Sequence, residues 1–267
     1  MSADESFTRL AAFIEDEMDF ATSHYNDSYL QRRLASRMRR TGSDDYTEYL
    51  RLLRDVADEQ EALLDALSIN VTGFFRNEDV WDGIRDVLRD LSESQGAIRA
   101  WSAACADGRE PYSLAMLAHD DPRVDEEKLS VLATDINDKS LNHAREGVYE
   151  STRTIDIDDQ LGFLSHYLRF VDRDGDTFSM RDEIRDHVTF EHHDLINDDS
   201  KSGFDLVVCR NLFIYIDNEY KRPILETIAR SIRPGGYLVI GKAETIPPNL
   251  KSAFTVLDGR LRIYRRD

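Results

Sequence analysis

The sequence contains little cysteine, little lysine and no long apolar run. Two of its 267 residues are cysteines, Cys105 and Cys209, and they match no metal-ligand spacing, so neither a disulfide framework nor a metal site is predicted. The apolar stretches fall well short of the roughly 20 residues that a membrane helix needs, which excludes a transmembrane protein. The first ten residues are acidic and lack the basic and apolar regions of a signal peptide. We therefore expect a cytoplasmic protein.

Acidic residues dominate the charge. The sequence has 34 basic and 52 acidic residues, a net charge of −18, and only six of the basic residues are lysines. Concentrated salt screens the repulsion within such a surface. The preference for aspartate and arginine predicts a protein from a high-salt cytoplasm, with an ordinary acidic protein as the alternative. The net charge also argues against a nucleic-acid partner, because it would repel the phosphates.

The hydrophobic pattern divides the chain into two parts, of which residues 1–75 are helical in character. Apolar residues recur there at helical spacing. The clearest stripes are Leu10, Phe13 and Ile14, followed by Leu30, Leu34 and Met38. Ser43, followed by two aspartates, predicts the N-cap and acidic first turn of a further helix. No strand pattern interrupts this part, so we predict a small helical domain.

From about residue 97, the sequence alternates between apolar, β-branched runs and helical stretches. The runs cover residues 97–104, 129–136, 188–194, 204–211 and 236–244, and the helical stretches lie near 111–119, 138–146 and 218–232. Near-continuous apolar strands separated by helices are typical of a parallel, doubly wound α/β sheet. Pro234-Gly235-Gly236 is predicted to end the last helix and to turn the chain into the next strand.

Two shorter patterns predict hairpins. The sequence RFVDRDGDTFSM (169–180) interrupts the alternation and predicts a small β-subdomain inserted over residues 155–187. The terminal sequence FTVLDGRLRIYRRD predicts a hairpin that turns at Asp258-Gly259.

In open α/β sheets, ligands bind at the carboxyl ends of the strands. The first predicted strand runs into small residues at 103–108, which allow a ligand to approach the backbone closely. This turn lacks the G-x-G-x-x-G pattern, which weakens the case for a nicotinamide or flavin dinucleotide. The second strand ends at Asp135, which suits the ribose hydroxyls of a nucleoside. Capping of the next helix is an equally good explanation of Asp135.

Several longer stretches carry a resemblance to a known family. WSAACADGREPYSLAML, VLATDINDKSLNHAREGVY, FDLVVCRNLFIYID and RPGGYLVIGKAE resemble, in order, the motifs of the CheR family of chemotaxis-receptor methyltransferases. SINVTGFFRNEDVW resembles the stretch that closes over the cofactor in that family. The resemblance covers nearly the whole chain. It implies an N-terminal helical domain (1–75) and a Rossmann-like α/β methyltransferase domain (76–267) with an inserted β-subdomain (155–187).

The resemblance implies transfer of a methyl group from S-adenosylmethionine to glutamate side chains of chemoreceptors, which leaves S-adenosylhomocysteine. The family's cofactor-contacting positions map onto Asn70, Thr72, Arg76, Glu110, Asp135, Asp194, Leu195, Arg210 and Asn211. The implied contacts are Asp135 with the ribose, Asp194 and Leu195 with the adenine, Arg76 with the cofactor's carboxylate, and Glu110 with its amino group.

A glutamate substrate is already ionised at neutral pH, so no general base is required. Tyr215 is the candidate for orienting the substrate or packing against the methyl group, and a core aromatic role is the alternative. Three features depart from the family pattern. They are Arg109 in place of an acid, Gly73 in place of an aromatic residue, which is predicted to loosen the closing stretch, and Lys242-Ala243 in place of His-Ser.

The helix predicted over residues 30–40 is basic in an otherwise acidic chain. It contains Arg32, Arg33, Arg37, Arg39 and Arg40 and no acid. We predict that these arginines bind the acidic, helical cytoplasmic region of a chemoreceptor. Intramolecular ion pairs are the alternative. We expect a monomer without membrane insertion.

Two other functions are compatible with the sequence. One is an S-adenosylmethionine-dependent methyltransferase that acts on another protein or on a small molecule. The other is an adaptor that docks on receptors without methylating them.

Overall fold

The computed structural model describes residues 3–18, 20–67 and 72–267. The chain forms two compact units. The first comprises Met1–Ile69 and Phe213–Lys221, and the second comprises Asn70–Leu212 and Arg222–Asp267. Within the described ranges, no helix is both long enough and apolar enough to cross a membrane.

The first unit is helical, as its periodicity predicts. Its helices are α1 (Ala3–Met18), α2 (Asp27–Thr41), α3 (Tyr46–Asp55) and α4 (Ala57–Leu67). The predicted stripes form its core, since Leu10, Ile14, Leu30 and Leu34 are buried, and Phe13 and Met38 pack against them. Burial of these apolar stripes, more than intrinsic helix propensity, stabilises helices of this length.

The N-cap of α3 differs from the prediction. Asp45, not Ser43, caps the helix, and its carboxylate accepts hydrogen bonds from the backbone N–H groups of Thr47 and Glu48 at 2.8 and 2.9 Å. A carboxylate at this position also interacts favourably with the positive end of the helix dipole, which explains why Asp45 replaces the serine hydroxyl.

Residues 213–221 belong to the helical unit, which departs from the predicted domain boundaries. Phe213 and Ile216 are buried, and Ile216 forms an antiparallel bridge with Tyr25. Asn26 caps α2 by accepting from Tyr29 N at 2.9 Å. Its Nδ2 also donates to the carbonyl of Tyr215 at 2.9 Å. The local helix and strand pattern carries no signal for such a return of the chain.

The second unit is built on a mixed seven-stranded sheet of the predicted doubly wound class. Its strands are β1 (Ile98–Ala103), β2 (Leu129–Asp135), β6 (Val188–His192), β7 (Phe204–Cys209), β8 (Ile232–Ile240), β9 (Phe254–Asp258) and β10 (Ile263–Arg266). The order is β6-β2-β1-β7-β8-β10-β9. β10 is antiparallel to both β8 and β9, and the predicted terminal hairpin is therefore confirmed.

Helix α5 (Glu78–Ser94) precedes β1. Helices α6 (Arg109–Asp120), α7 (Asp138–Glu146) and α10 (Asn218–Ser231) follow β1, β2 and β7. Strands β1, β7 and β8 are almost entirely buried, as expected for strands covered on both faces. Their apolar side chains share one core with α5 and α6.

The inserted subdomain contains more than the predicted hairpin. Strands β4 (Val171–Asp174) and β5 (Thr177–Met180) form that hairpin, and β3 (Val148–Glu150) pairs with the other edge of β5. Two short helices, α8 (Ile157–Leu161) and α9 (Asp182–Arg185), accompany the strands. The extra strand β3 precedes the predicted start of the insert.

The predicted role of Pro234-Gly235-Gly236 is wrong. Helix α10 ends at Ser231 and β8 begins at once with Ile232, so the three residues lie inside the strand. They coincide with an irregularity in pairing, because Phe204 is opposite Ile232 while Leu206 is opposite Tyr237. Proline is tolerated in a strand at such a bulge.

The acidic surface leads to a prediction for stability. With 52 acidic and 34 basic residues, lowering the salt concentration should increase repulsion within the folded chain. We expect the melting temperature to fall when the protein is diluted from molar to millimolar potassium chloride, as measured by circular dichroism. A melting temperature that stays constant or rises on dilution would contradict the high-salt interpretation.

Candidate functional site

The strand order reverses between β1 and β7, and this reversal defines where a ligand binds in such sheets. From β1 the chain proceeds to β2 and β6 on one side, whereas β7 and β8 lie on the other. Neighbouring strands end in register, with Ala103 opposite Thr134 and Cys209 opposite Ile240. The loops that follow β1, β2 and β7 therefore meet at one edge of the sheet.

The turn after β1 has an unusual backbone. Ala104, Ala106 and Gly108 have φ angles of 59°, 50° and 88°, which place two alanines in the left-handed region that costs most residues about 1–2 kcal/mol. The turn is held by Cys105 N, which donates to the Thr134 carbonyl at 2.9 Å. Small side chains and this held backbone leave room for a ligand to approach the main chain.

Asp135 lies beside this turn at the end of β2. Its Oδ2 accepts from Ala106 N at 2.8 Å and its Oδ1 accepts from Asn137 N at 3.0 Å. Burial raises the pKa of this carboxyl, and the backbone donors oppose the rise. The cap of α7 is Asn137, whose side chain accepts from Ser140 N at 3.1 Å. A carboxylate can accept about four hydrogen bonds, so Asp135 retains acceptor capacity for a further donor.

Glu110 and Arg210 form an ion pair at the reversal point. Glu110, in the first turn of α6, accepts from Ser102 Oγ at 2.9 Å, and its Oε2 lies 3.6 Å from Arg210 Nη1. Burial raises the pKa of Glu110, while the Arg210 cation and the Ser102 hydroxyl lower it. Burial lowers the pKa of Arg210. A buried pair of this kind needs further hydrogen bonds to be stable.

Arg210 also holds the chain before α5. Its Nη2 donates to the carbonyl of Arg76 at 2.7 Å and to Asn77 Oδ1 at 3.2 Å. Trp81 Nε1 donates to the same Arg76 carbonyl at 3.1 Å. The Nε atom of Arg210 is buried without a partner among the described residues, and an orphaned charged donor of this kind is rare in proteins.

Residues 72–77 are fixed by several elements of the second unit. The backbone N–H of Phe75 donates to Ser113 Oγ at 3.1 Å. Arg109, the departure from the family pattern, forms an ion pair with Asp107 at 2.7 Å and donates to the carbonyl of Thr72 at 3.4 Å. The reversed charge at position 109 is thus matched locally by Asp107.

Glu244 is a site residue that the sequence analysis missed. Its Oε2 accepts from Asn211 N at 3.1 Å and from Gly241 N at 2.6 Å. Asn211 has a φ of 62°, so Glu244 stabilises a left-handed residue directly after Arg210. The available signal was the position of Glu244 in the G-K-A-E sequence after a strand.

The remaining predicted cofactor residues occupy other places. Asp194 and Leu195 follow β6, next to the end of β2. The Asp194 carboxylate accepts from Ile196 N at 2.7 Å and from Asn197 Nδ2 at 2.8 Å, which shapes that loop. Asn70 lies outside the described residues.

Tyr215 and the predicted arginines lie in the helical unit. The partly buried ring of Tyr215 packs on Tyr29, with 4.9 Å between the ring centroids. Arg37 forms an ion pair with Glu59, and Arg33 lies over the Tyr29 ring with 5.2 Å between Cζ and the centroid. The remaining three, Arg32, Arg39 and Arg40, are exposed.

The chemistry of these groups fits S-adenosylmethionine. Two partly buried carboxylates, Glu110 and Asp135, retain acceptor capacity, which suits an ammonium group and ribose hydroxyls. The orphaned Arg210 Nε suits an acceptor at the same place. The two carboxylates, the small residues of the turn and the nearby arginine therefore match a ligand that combines a nucleoside with an ammonium group and a carboxylate.

Comparison with known proteins gives an independent result. Residues 5–68 match the model of the CheR methyltransferase all-alpha domain, and residues 70–263 match that of the CheR methyltransferase SAM binding domain. A chemotaxis protein methyltransferase of Listeria monocytogenes is 34% identical over 242 residues, which cover 90% of this chain and 88% of that protein. The corresponding Escherichia coli protein is 28% identical, with coverages of 95% and 88%.

Among solved structures, CalS10, an amino pentose methyltransferase from Micromonospora echinaspora, matches with 17% identity and a TM-score of 0.36, covering 63% of this chain and 51% of that one. This similarity is too low to bear on function. The two family models together span almost the entire chain, in the order that the motifs predict. The chain therefore belongs to the CheR methyltransferase family and carries its S-adenosylmethionine-binding domain.

Proposed function

We propose that this protein transfers the methyl group of S-adenosylmethionine to glutamate side chains in the cytoplasmic region of chemoreceptors. The observation that carries the proposal is the match to both parts of the family, the all-alpha domain as well as the SAM binding domain. Relatives that share both parts over most of their length are chemotaxis protein methyltransferases.

The residues at the reversal point would hold the cofactor by complementary charge. Asp135 would accept from the ribose hydroxyls, Glu110 would balance the ammonium group, and Arg76 would pair with the carboxylate. Thr72 and Asn70 would add polar contacts at the amino-acid end. The loop of Asp194 and Leu195 would contact the adenine.

Arg210 and Asn211 would act at the same place from the end of β7. Arg210 contacts Glu110 and the carbonyl of Arg76. It would therefore position both the residue assigned to the cofactor's ammonium group and the residue assigned to its carboxylate. Asn211, held by Glu244, would present its polar side chain from a fixed backbone. This arrangement concentrates charge-assisted contacts in a site sheltered from water.

The bound cofactor supplies a methyl group on a sulfonium, which is already activated for transfer to an anion. The acceptor glutamate is ionised at neutral pH, so no residue of the chain has to remove a proton. The chain's contribution would be to orient the carboxylate in line with the methyl group and to exclude water. Tyr215, with its ring supported by Tyr29, would orient that carboxylate.

The arginines of α2 would bind the acidic face of the receptor. Arg37 is engaged with Glu59, which favours the intramolecular alternative for this residue. The three exposed arginines, Arg32, Arg39 and Arg40, and the half-buried Arg33 remain for the partner. High salt weakens exposed ion pairs, so bidentate contacts to glutamates would matter most.

This leads to a prediction for substrate recognition. Reversing two exposed arginines, in the variant Arg32→Glu/Arg39→Glu, should raise the KM for the receptor about 3- to 30-fold, because two favourable contacts become repulsive. The affinity for S-adenosylhomocysteine should not change. The matched control is Arg51→Glu/Arg54→Glu, which makes the same charge change on α3. Equal KM values for the two double variants would contradict a docking role for α2.

The proposed function is tested by incubating the protein with methyl-labelled S-adenosylmethionine and a receptor cytoplasmic fragment in molar salt. We expect label on the receptor that mild base releases as methanol, since methyl esters are base-labile. Base-stable label would indicate a different acceptor atom. Receptor binding without any label would instead favour the adaptor function.

A further inference from the structure

The inserted subdomain contacts residues 72–77, which are part of the stretch that the family resemblance assigns to closure over the cofactor. Gln160, in α8 of the insert, accepts a hydrogen bond from the backbone N–H of Phe74 through Oε1 at 2.9 Å. Phe163, just after α8, stacks on Phe75 with 4.8 Å between ring centroids. Tyr149 of β3 packs edge-on against Phe74, with 4.9 Å between ring centroids. The insert therefore holds this stretch by one polar contact and two aromatic contacts.

Gly73 makes the polar contact sterically feasible. A Cβ atom at position 73 would lie 3.1 Å from Gln160 Oε1 and 3.3 Å from its Cδ, which is closer than ordinary van der Waals contact. The amide of Gln160 thus occupies the space that a side chain at position 73 would need. Gly73 therefore does not loosen the closing stretch as its lack of a side chain predicts, because it makes room for the Gln160 amide that holds Phe74.

Helix α8 is itself well anchored, so Gln160 does not reach Phe74 from a free loop. Ile157 and Leu161 are fully buried in the core that also contains Phe74. Asp156 caps α8 by accepting from Asp159 N at 3.1 Å. A rigid support of this kind restricts the Gln160 side chain before any ligand binds.

We propose that Gln160 is a positioning residue for the cofactor site, and that Gln160 and Gly73 act as a matched pair. Gln160 holds Phe74, and the chain continues directly to Arg76, the residue assigned to the cofactor's carboxylate. The carbonyl of Arg76 is held by Arg210, which follows β7. Fixing both ends of this short stretch preorganises Arg76, and preorganisation increases affinity by reducing the ordering cost of binding. The inference rests on the proposed placement of the cofactor and not on the identity of the methyl acceptor.

The test uses three variants of the full chain and S-adenosylhomocysteine as the probe. Gln160→Met keeps the length of the side chain but removes the acceptor, and we expect its dissociation constant to rise about 3- to 10-fold. Gln160→Glu keeps an acceptor oxygen and should recover most of that loss. Gly73→Ala should weaken binding like Gln160→Met, because the added methyl displaces the amide.

The combined variant tests whether the two residues act together. If Gly73→Ala and Gln160→Met remove the same contact, the double variant should bind about as well as either single variant. Asp159→Asn, on an exposed neighbour in α8, serves as the neutral control. Hydrogen exchange of the ligand-free protein adds a readout that does not depend on the cofactor, and the amide of Phe74 should exchange faster in Gln160→Met.

Two results would overturn the inference. One is unchanged S-adenosylhomocysteine affinity in Gln160→Met together with a lower melting temperature, which would make Gln160 purely structural. The other is full additivity of the two single variants. Failure to methylate a receptor would refute the proposed function and leave these binding results, and hence the inference, unaffected.

Discussion

Replacing Arg37 by glutamate is expected to lower the free energy of unfolding by about 3–5 kcal/mol, the usual cost of leaving a buried charge without its partner. Arg37 Nε donates to Glu59 Oε1 at 3.0 Å, and Nη2 contacts Oε2. Tyr49 donates to the same Oε1 at 2.6 Å. The side chains of Arg37 and Glu59 are only 14% and 8% exposed. The variant would place two carboxylates together in this enclosed site.

Arg39→Glu provides the matched control, because it makes the same charge change on an exposed position of the same helix. Its effect on unfolding should lie within about 0.5 kcal/mol, as for most surface substitutions. Urea denaturation in molar salt, followed by far-ultraviolet circular dichroism, measures both variants. If Arg37→Glu proves as stable as Arg39→Glu, the pair with Glu59 does not stabilise the helical unit.

Replacing Asp135 by alanine is expected to weaken binding of S-adenosylhomocysteine by about 1–3 kcal/mol, or about 5- to 150-fold. The variant removes the proposed acceptor for the ribose hydroxyls. It also removes the contact to Ala106 N at 2.8 Å that holds the turn after β1. Both losses act in the same direction, so the effect should lie toward the upper part of this range.

Isothermal titration calorimetry in molar salt measures this affinity. Asp138→Ala is the control, since Asp138 is an exposed acid three residues further along the chain and has no proposed cofactor contact. Affinity of Asp135→Ala equal to that of Asp138→Ala would refute the placement of the ribose. A lower affinity in Asp135→Ala alone would support it.

Much of the second unit follows from its sequence because buried parallel strands are nearly continuous apolar runs. The segments predicted at 129–136 and 204–211 correspond to β2 and β7 within two residues at each end. Since parallel strands end at the same edge, the sequence also places Asp135 and Arg210 at that edge. Their individual contacts depend on register, which the pattern does not specify.

Other features depend on contacts between residues far apart in the sequence. The pair of Arg37 with Glu59 and the contact of Gln160 with Phe74 join positions whose local patterns are unrelated. Local preference even opposes the turn after β1, because alanine disfavours the positive φ of Ala104 and Ala106. Tertiary packing overrides that preference, and the local sequence pattern carries no information about such packing.

The proposed formation of glutamate methyl esters on chemoreceptors is tested by the fate of a labelled methyl group. The purified protein, methyl-labelled S-adenosylmethionine and a receptor cytoplasmic fragment are combined in molar salt, and the receptor is then treated with mild base. We expect label on the receptor that depends on the protein, is released as methanol, and falls sharply with Asp135→Ala. A receptor that stays unlabelled, or that keeps its label in base, would contradict it.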